Sequence, residues 1–273
     1  MSKLRVALIQ LAADPDVTAN VERAAALIRA AGEHRPALIA LPEMFQYRGP
    51  SAGFRESVTD VPGGLTAPFS RLAQELNAWL LLGSLAERTA DPLRPHNTSV
   101  LLGPDGDVAA IYRKIHLFDV AIENGPSDRE SGRITPGNAA VVATLDGAAV
   151  GEGVDVRLGL SVCFDLRFPE LYRELVAGGA NVLAVPANFT EATGRDHWEV
   201  LLRARAIENG AYVIAPAQCG VGAGIPAHGR SMIIDPWGIV VAQAPDGPGY
   251  IVADLDLDRV VAVRRQLPTQ PTR

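Results

Sequence analysis

The sequence predicts a layered α/β fold in which two packed sheets are covered by helices, and three observations predict it. Apolar segments of two-residue period alternate with amphipathic segments of helical period along the chain. About a dozen strand candidates would overfill one open sheet, so two stacked sheets hold them better. Strand–helix units are followed by hairpins, which points to mixed sheets rather than a purely parallel one. No linker is long enough to divide the 273 residues. We therefore read 1–273 as a single domain, with 256–273 as its C-terminal helix and tail.

Taken in order, 4–10 is apolar but too short for a signal-peptide core, and it lacks a small-residue cleavage site. It reads as a first strand. The helix predicted over 17–33 carries Val21, Ala24, Ala25 and Ile28 on one face, with Pro15 and Thr18 punctuating its start and Gly32 its end. The run 37–41 is continuously apolar and stops at Pro42. A helix over 65–77 leads into strands over 79–85 and 97–102. Leu102-Gly103-Pro104-Asp105-Gly106-Asp107 is a hairpin turn into a strand over 107–113. The polar segment 123–137, rich in Gly, Ser and Pro, reads as an ordered surface loop. Strands over 139–145 and 154–162 follow, the second with Val156, Leu158, Leu160 and Val162 alternating. Leu171, Leu175 and Val176 then restore helical spacing in 167–178. A strand over 181–186, a helix over 195–209 and a strand over 211–217 come next. Strands over 230–235, 239–244 and 249–255 precede a final helix over 256–266.

Composition narrows the function classes. Hydrophobic residues make up 48% of the chain, yet no apolar run approaches the roughly 18–20 residues of a membrane span. A net charge of −6 suits a soluble protein and argues against nucleic acid as the main partner. Two cysteines without a tandem pair fit a reducing cytosol better than a disulfide framework, so a cytoplasmic protein is expected. The five histidines show no HExxH or other zinc spacing, and phosphate-binding glycine loops are absent. Neither a metal nor a nucleotide cofactor is expected.

Three segments carry candidate chemistry. Cys163 stands where an alternating strand gives way to helical spacing. A thiol at such an elbow is expected to be exposed and to have amide N–H groups pointing at it, which lowers its pKa and stabilises an oxyanion. Its alternative is a buried structural cysteine, the commoner fate of a lone thiol. Glu43 follows Pro42 directly, past the carboxyl end of a strand where functional groups of α/β folds concentrate. Partial burial against Phe45 or Tyr47 would suit it to acid–base work; otherwise it is an ordinary loop charge. Lys114, at the end of a strand among large apolar residues, can offer a fixed positive charge to an oxyanion; alternatively Arg113 and Lys114 are solvated.

Read together, Glu43, Lys114 and Cys163 in this order resemble the triad of the nitrilase superfamily of carbon–nitrogen hydrolases. The resemblance covers nearly the whole chain. It runs through Leu41-Pro42-Glu43, Tyr112-Arg113-Lys114-Ile115-His116-Leu117-Phe118 and Gly159-Leu160-Ser161-Val162-Cys163-Phe164-Asp165-Leu166-Arg167. It continues through His197-Trp198-Glu199, Arg203-Ala204-Arg205-Ala206-Ile207-Glu208, Ala217-Gln218-Cys219-Gly220 and Asp235-Pro236-Trp237-Gly238. It is nearest to the branch holding ω-amidases and deaminated-glutathione amidases, the latter first. It implies a four-layer α-β-β-α sandwich that forms a homodimer or higher homo-oligomer through its helices.

The chemistry so implied is hydrolysis of a small linear amide with release of ammonia, the favoured substrate being the amide of a 2-oxo acid such as deaminated glutathione. Cys163 attacks, Glu43 carries the proton, and Lys114 with the Phe164 backbone N–H holds the oxyanion. Glu130 matches an auxiliary glutamate, with Glu123 as its rival. Arg167 is placed on the first helical turn after the nucleophile to meet a substrate carboxylate, or else to pair with Glu170, Asp165 or Glu174. Asn188 and Phe189 are expected pocket walls. Cys219 reads as a small buried hydrophobe, and Arg203 and Arg205 as helix ion-pairing residues. An N-carbamoyl amino-acid amidohydrolase and a catalytically idle scaffold remain as alternatives. A true nitrilase fits less well, since its cysteine stands in a Cys-Trp-Glu motif.

Overall fold

The computed structural model describes residues 3–269 except 122–126, 148, 152 and 154. Its strands, in chain order, are β1 (Lys3–Gln10), β2 (Leu38–Ala40), β3 (Trp79–Glu87), β4 (His96–Leu102), β5 (Val108–Arg113), β6 (Asp119–Ala121), β7 (Ser127–Arg129) and β8 (Val141–Leu145). They continue with β9 (Val156–Leu160), β10 (Val182–Ala184), β11 (Tyr212–Ala215), β12 (Val221–Gly222), β13 (Ile225–Pro226), β14 (Met232–Ile234), β15 (Val240–Gln243) and β16 (Gly249–Asp256). The helices are α1 (Val17–Gly32), α2 (Ser51–Phe54), α3 (Ala67–Leu76), α4 (Pro169–Ala177), α5 (Glu191–Asn209) and α6 (Leu257–Gln266).

Two six-stranded mixed sheets result, ordered β16-β1-β2-β3-β4-β5 and β15-β14-β11-β10-β9-β8. The central pairs β1–β2 and β2–β3, and likewise β9–β10 and β10–β11, are parallel, and antiparallel strands flank them. The two-residue period explains the layering. In β1, Leu4, Val6 and Leu8 join the core shared with the second sheet, whereas Ala7 and Ile9 join a second core with Ala24 and Ile28 of α1 and Phe69 and Leu72 of α3. Strand β2 repeats this division, with Leu38 and Ala40 on one face and Ile39 on the other. Helices α4 and α5 cover the far face of the second sheet through Leu171, Leu175, Trp198 and Leu202. The order is thus helix, sheet, sheet, helix, as expected.

Each of the twelve predicted strands corresponds to a strand of the two sheets. The two small hairpins β6–β7 and β12–β13 were not predicted, because segments of two or three residues show no period. Helix boundaries moved for identifiable reasons. Asp16, rather than Pro15 or Thr18, caps α1, its side chain accepting from Ala19 N at 3.0 Å. Helix α5 starts at Glu191, four positions before the predicted 195. Gly194, which argues against a helix interior, is required there by close approach: a Cβ would lie 2.4 Å from that of His228. The predicted helix 167–178 is interrupted at its start. Cys163–Arg167 forms a separate tight turn, Phe168 is extended (φ −113°, ψ 90°), and α4 begins at Pro169. The cause is Pro169, which disfavours helical backbone in the residue before it. No helix among the described residues is long and apolar enough to cross a membrane.

Candidate active site

The strand ends bring the candidates together. Beyond β2, Leu41 N donates to Leu81 O at 2.9 Å, which extends the sheet before the chain turns at Glu43. Gly83 allows this course, since a Cβ there would lie 1.8 Å from Leu41 O. Gln218 Nε2 donates to the carbonyls of Glu43 and Met44 at 3.1 and 3.2 Å, and Met44 takes φ +49°. The Glu43 side chain is buried, and polar groups hold its carboxylate. Its Oε1 accepts from Asn97 Nδ2 at 2.9 Å and Lys114 Nζ at 3.0 Å, and its Oε2 from the Asn188 backbone N–H at 2.8 Å.

Lys114 follows β5 directly and is 2% exposed, so the solvated alternative does not hold. Arg113, next to it, turns the other way and pairs with Glu87 at 2.6 Å. Lys114 Nζ also donates to Glu130 Oε2 at 2.9 Å. The Phe118 N–H donates to the same Glu130 oxygen at 2.6 Å, and Asn97 Nδ2 reaches Glu130 Oε1 at 3.3 Å. Asn97 therefore bridges both carboxylates, a role sequence reasoning missed. Asn97-Thr98-Ser99 lies at the start of β4 as three polar residues, all buried, a burial that the sequence does not show. Burial alone would pull the Lys114 ammonium down, but Glu130 and Glu43 hold it well above its ordinary pKa. Glu123 lies outside the described residues.

Cys163 begins the tight turn after β9 with φ +49°, a left-handed conformation that costs a non-glycine residue energy and is enriched at functional sites. Its N–H donates to Pro186 O at 2.9 Å. Asp165, fully buried, secures the turn. One oxygen accepts from the Val162 N–H at 2.9 Å and Tyr112 OH at 2.7 Å; the other accepts from the His116 N–H at 3.0 Å and His116 Nδ1 at 2.7 Å. Tyr112 and His116 flank Lys114 in sequence, so this carboxylate ties the lysine segment to the cysteine turn. Two expectations for Cys163 are corrected. The residue is buried, not exposed, and burial with the Glu43 charge pushes its thiol well above the ordinary range. Lys114 and the Asn188 N–H offset only part of that rise.

Glu43, Lys114, Glu130 and Cys163 line one cavity of about 600 Å³. Phe164, Arg167, Asn188 and Phe189 line it too, so all eight sequence candidates meet there. Arg167 ends the tight turn instead of opening a helix, which corrects its predicted location. It forms no ion pair with Glu170, Asp165 or Glu174. Its guanidinium lies 5.7 Å from the Phe164 ring centroid and 5.2 Å from that of Phe189, and it contacts His197 Nδ1 at 3.3 Å. The unpredicted hairpins β6–β7 and β12–β13 also contribute walls, and so does Arg48, which the sequence reading passed over. Residues read as structural behave so. Cys219 is buried, Trp198 Nε1 donates to Arg230 O at 2.8 Å, and Arg205 pairs with Glu208 at 2.7 Å.

A buried thiol at a strained elbow, a carboxylate reaching it, and an ammonium fixed by two carboxylates can together perform acyl transfer. The fold and this site define the class. Residues 5–265 match the carbon–nitrogen hydrolase family, and the chain belongs to that family, in the amidase branch of the nitrilase superfamily. Among its relatives, the deaminated glutathione amidase of Synechocystis is 39% identical over 271 residues, covering 98% of this chain and 97% of that one. Human ω-amidase is 36% identical over 270 residues, covering 98% and 94%. Among solved structures, the C. elegans NitFhit protein matches with a TM-score of 0.87 and 35% identity over 98% of this chain. This chain spans only 64% of that longer protein. Nit3 of Saccharomyces cerevisiae, from branch 10 of the superfamily, matches with a TM-score of 0.87 and 30% identity, covering 100% and 97%. An amidase from Nesterenkonia sp. AN1 matches at 0.78 and 26%, covering 96% and 97%; its glutamate-to-glutamine variant carries acrylamide added at the active-site cysteine.

Proposed function

We propose that this protein hydrolyses a small linear amide through a thioester on Cys163, with Glu43 as proton carrier and Lys114 as oxyanion holder. The observation that carries the reading is the left-handed Cys163 turn facing a buried Lys114 whose charge is fixed by Glu43 and Glu130. Because the thiol is held protonated, attack on the carbonyl carbon must be coupled to proton transfer from sulfur to Glu43. Lys114 and the Phe164 backbone N–H then face the developing oxyanion. Collapse expels the amine, which takes the proton back from Glu43. Water, deprotonated by the same carboxylate, hydrolyses the thioester, and sulfur recovers its proton. Glu130 and Asn97 position Lys114 and Glu43. A thiol nucleophile of this kind fits a reducing, cytoplasmic setting.

For the substrate, the names of the relatives and the guanidinium of Arg167, which pairs with no carboxylate among the described residues, favour a 2-oxo acid amide with a carboxylate on its acyl half. The leaving group then depends on the amide. A primary amide releases ammonia, whereas deaminated glutathione, whose nitrogen belongs to a peptide, releases a dipeptide amine. Assaying 2-oxoglutaramate, deaminated glutathione, carbamoyl amino acids and neutral amides tests this. Arg167→Ala is expected to raise KM for acidic amides about ten- to a hundredfold while affecting neutral ones less, and Arg167→Lys to recover only part. Equal losses on both kinds of substrate would contradict it and reopen the carbamoyl reading. The exposed Val200, Ile207, Trp237 and Ile239 sit on α5 and the adjoining β14–β15 corner, and we assign this apolar face to a second copy of the chain. Sedimentation of an Ile207→Glu variant as a monomer, with the parent a dimer, would support that assignment; a monomeric parent would refute it.

A further inference from the structure

We propose that Arg48 is a leaving-group anchor, taking a carboxylate carried by the amine half of the substrate while Arg167 takes one on the acyl half. The proposal rests on the amidase reading above and deepens it by assigning a specificity-determining residue to the amine half of the substrate.

Arg48 is 7% exposed and lines the cavity. Its Nη1 donates to Cys219 O at 2.8 Å and its Nη2 to Ile225 O at 3.2 Å. Those carbonyls aim the guanidinium but bring no opposite charge. Among the described residues no carboxylate forms an ion pair with it. The contrast with Arg133 on the same wall is direct, since both Nη atoms of Arg133 are taken by Asp128 at 2.6 and 2.7 Å. Burial pulls the guanidinium pKa down, and the Glu43 charge, which acts on it without a bonded contact, offsets only part of that cost; an anionic ligand bonded to it would remove more. Three of the five guanidinium N–H groups are not engaged in these two bonds.

Topology assigns the two arginines to different halves of the substrate. Arg167 lies on the turn that begins with Cys163, the atom donor that keeps the acyl group. Arg48 lies five residues beyond Glu43 on the segment after β2, and the departing nitrogen must meet Glu43 to receive its proton. The proposal places whatever the nitrogen carries on the Arg48 side of the cavity, where the β12–β13 hairpin meets Arg48 through Ile225 O. A cavity of about 600 Å³ has room for such an extension, being well within the range of sites that enclose drug-sized ligands.

The test compares two amides of one acidic acyl group. In one the leaving amine is a dipeptide with a free carboxylate; in the other the same dipeptide ends in a carboxamide. The parent enzyme is expected to prefer the free acid by about ten- to a hundredfold in kcat/KM, the value of a charge-assisted hydrogen bond. Arg48→Met should reduce that preference to about threefold or less, and Arg48→Lys should restore part of it. A preference that survives in Arg48→Met would overturn the assignment. So would equal turnover of the two amides by the parent enzyme, which leaves the amidase reading standing. Turnover of neither amide, nor of any primary amide, would overturn the amidase reading itself. Should Arg48→Met not fold, product inhibition of the parent enzyme decides. The free-acid dipeptide should inhibit at a concentration at least about tenfold lower than its carboxamide; equal inhibition would refute the anchor.

Discussion

At the scale of single residues, the site is an electrostatic balance in a dry place. Lys114 faces Glu43 and Glu130 at 3.0 and 2.9 Å with all three side chains buried. Such a group is tolerated only complete, because removing one partner leaves an uncompensated buried charge worth roughly 3–5 kcal/mol. Lys114→Met is therefore expected to lower kcat by about 100-fold or more and also to destabilise the fold. Asn97→Leu, which removes the bridging donor but no charge, should lower kcat with little change in KM. Steady-state kinetics and urea unfolding of the two variants check this. Stability lost without any change in kcat would mean that the network is structural only. Cys163, Glu43 and Lys114 each follow a predicted strand, but taken singly each left a non-catalytic reading open, and it was the resemblance of the three segments together that marked them as a triad. Asn97 and Arg48 were not legible, since one is hidden inside a strand and the other depends on a hairpin too short to show a pattern.

At the scale of elements, the informative feature is the turn between β9 and α4. Its sequence reads as a strand running into a helix, but Pro169 detaches Arg167 from the helix and leaves a five-residue turn that presents Cys163. Asp165 holds this turn to the Tyr112–His116 segment through three donors, and a fourth, the Val162 N–H, closes the turn itself. Period and breakers located the strand and the helix. The linkage was not legible, because Asp165 looks like any acid near a helix start until its partners 49 and 53 residues away are known. Asp165→Asn sets an amide N–H against donors and leaves at least one unsatisfied, at about 1–3 kcal/mol. The expected outcome is a lower melting temperature, a lower kcat and a changed rate of Cys163 alkylation by iodoacetamide. A lower melting temperature with kcat and alkylation unaltered would restrict Asp165 to stability.

At the scale of the whole molecule, two sheets packed through their apolar faces hold strand ends from both in one place: Glu43 and Lys114 come from the first, Cys163 and Asn188 from the second. The fold class was legible from period and strand count; the meeting of the two sheets at this cavity followed only from the family resemblance. Both Lys114 and Cys163 have folded-state pKa values raised above their ordinary ones. The folded protein therefore keeps protons that the unfolded chain releases, from about pH 8.5 for a thiol and about pH 10.4 for an ammonium. The stabilisation is fully present below those values and is lost as pH rises through the folded pKa of each group. Urea midpoints should thus fall from about pH 8.5 upward, and more shallowly in Cys163→Ala. A midpoint that rises with pH over this range would reverse the assigned shifts.

The central claim is a thioester shared by every substrate with the same acyl group, and nucleophile partitioning tests it most directly. With hydroxylamine present, amides that differ only in their leaving amine should yield hydroxamate and acid in one constant ratio, because both products arise from the same acyl-Cys163. A ratio that changes with the leaving amine would mean that water attacks the amide itself, and would contradict the account.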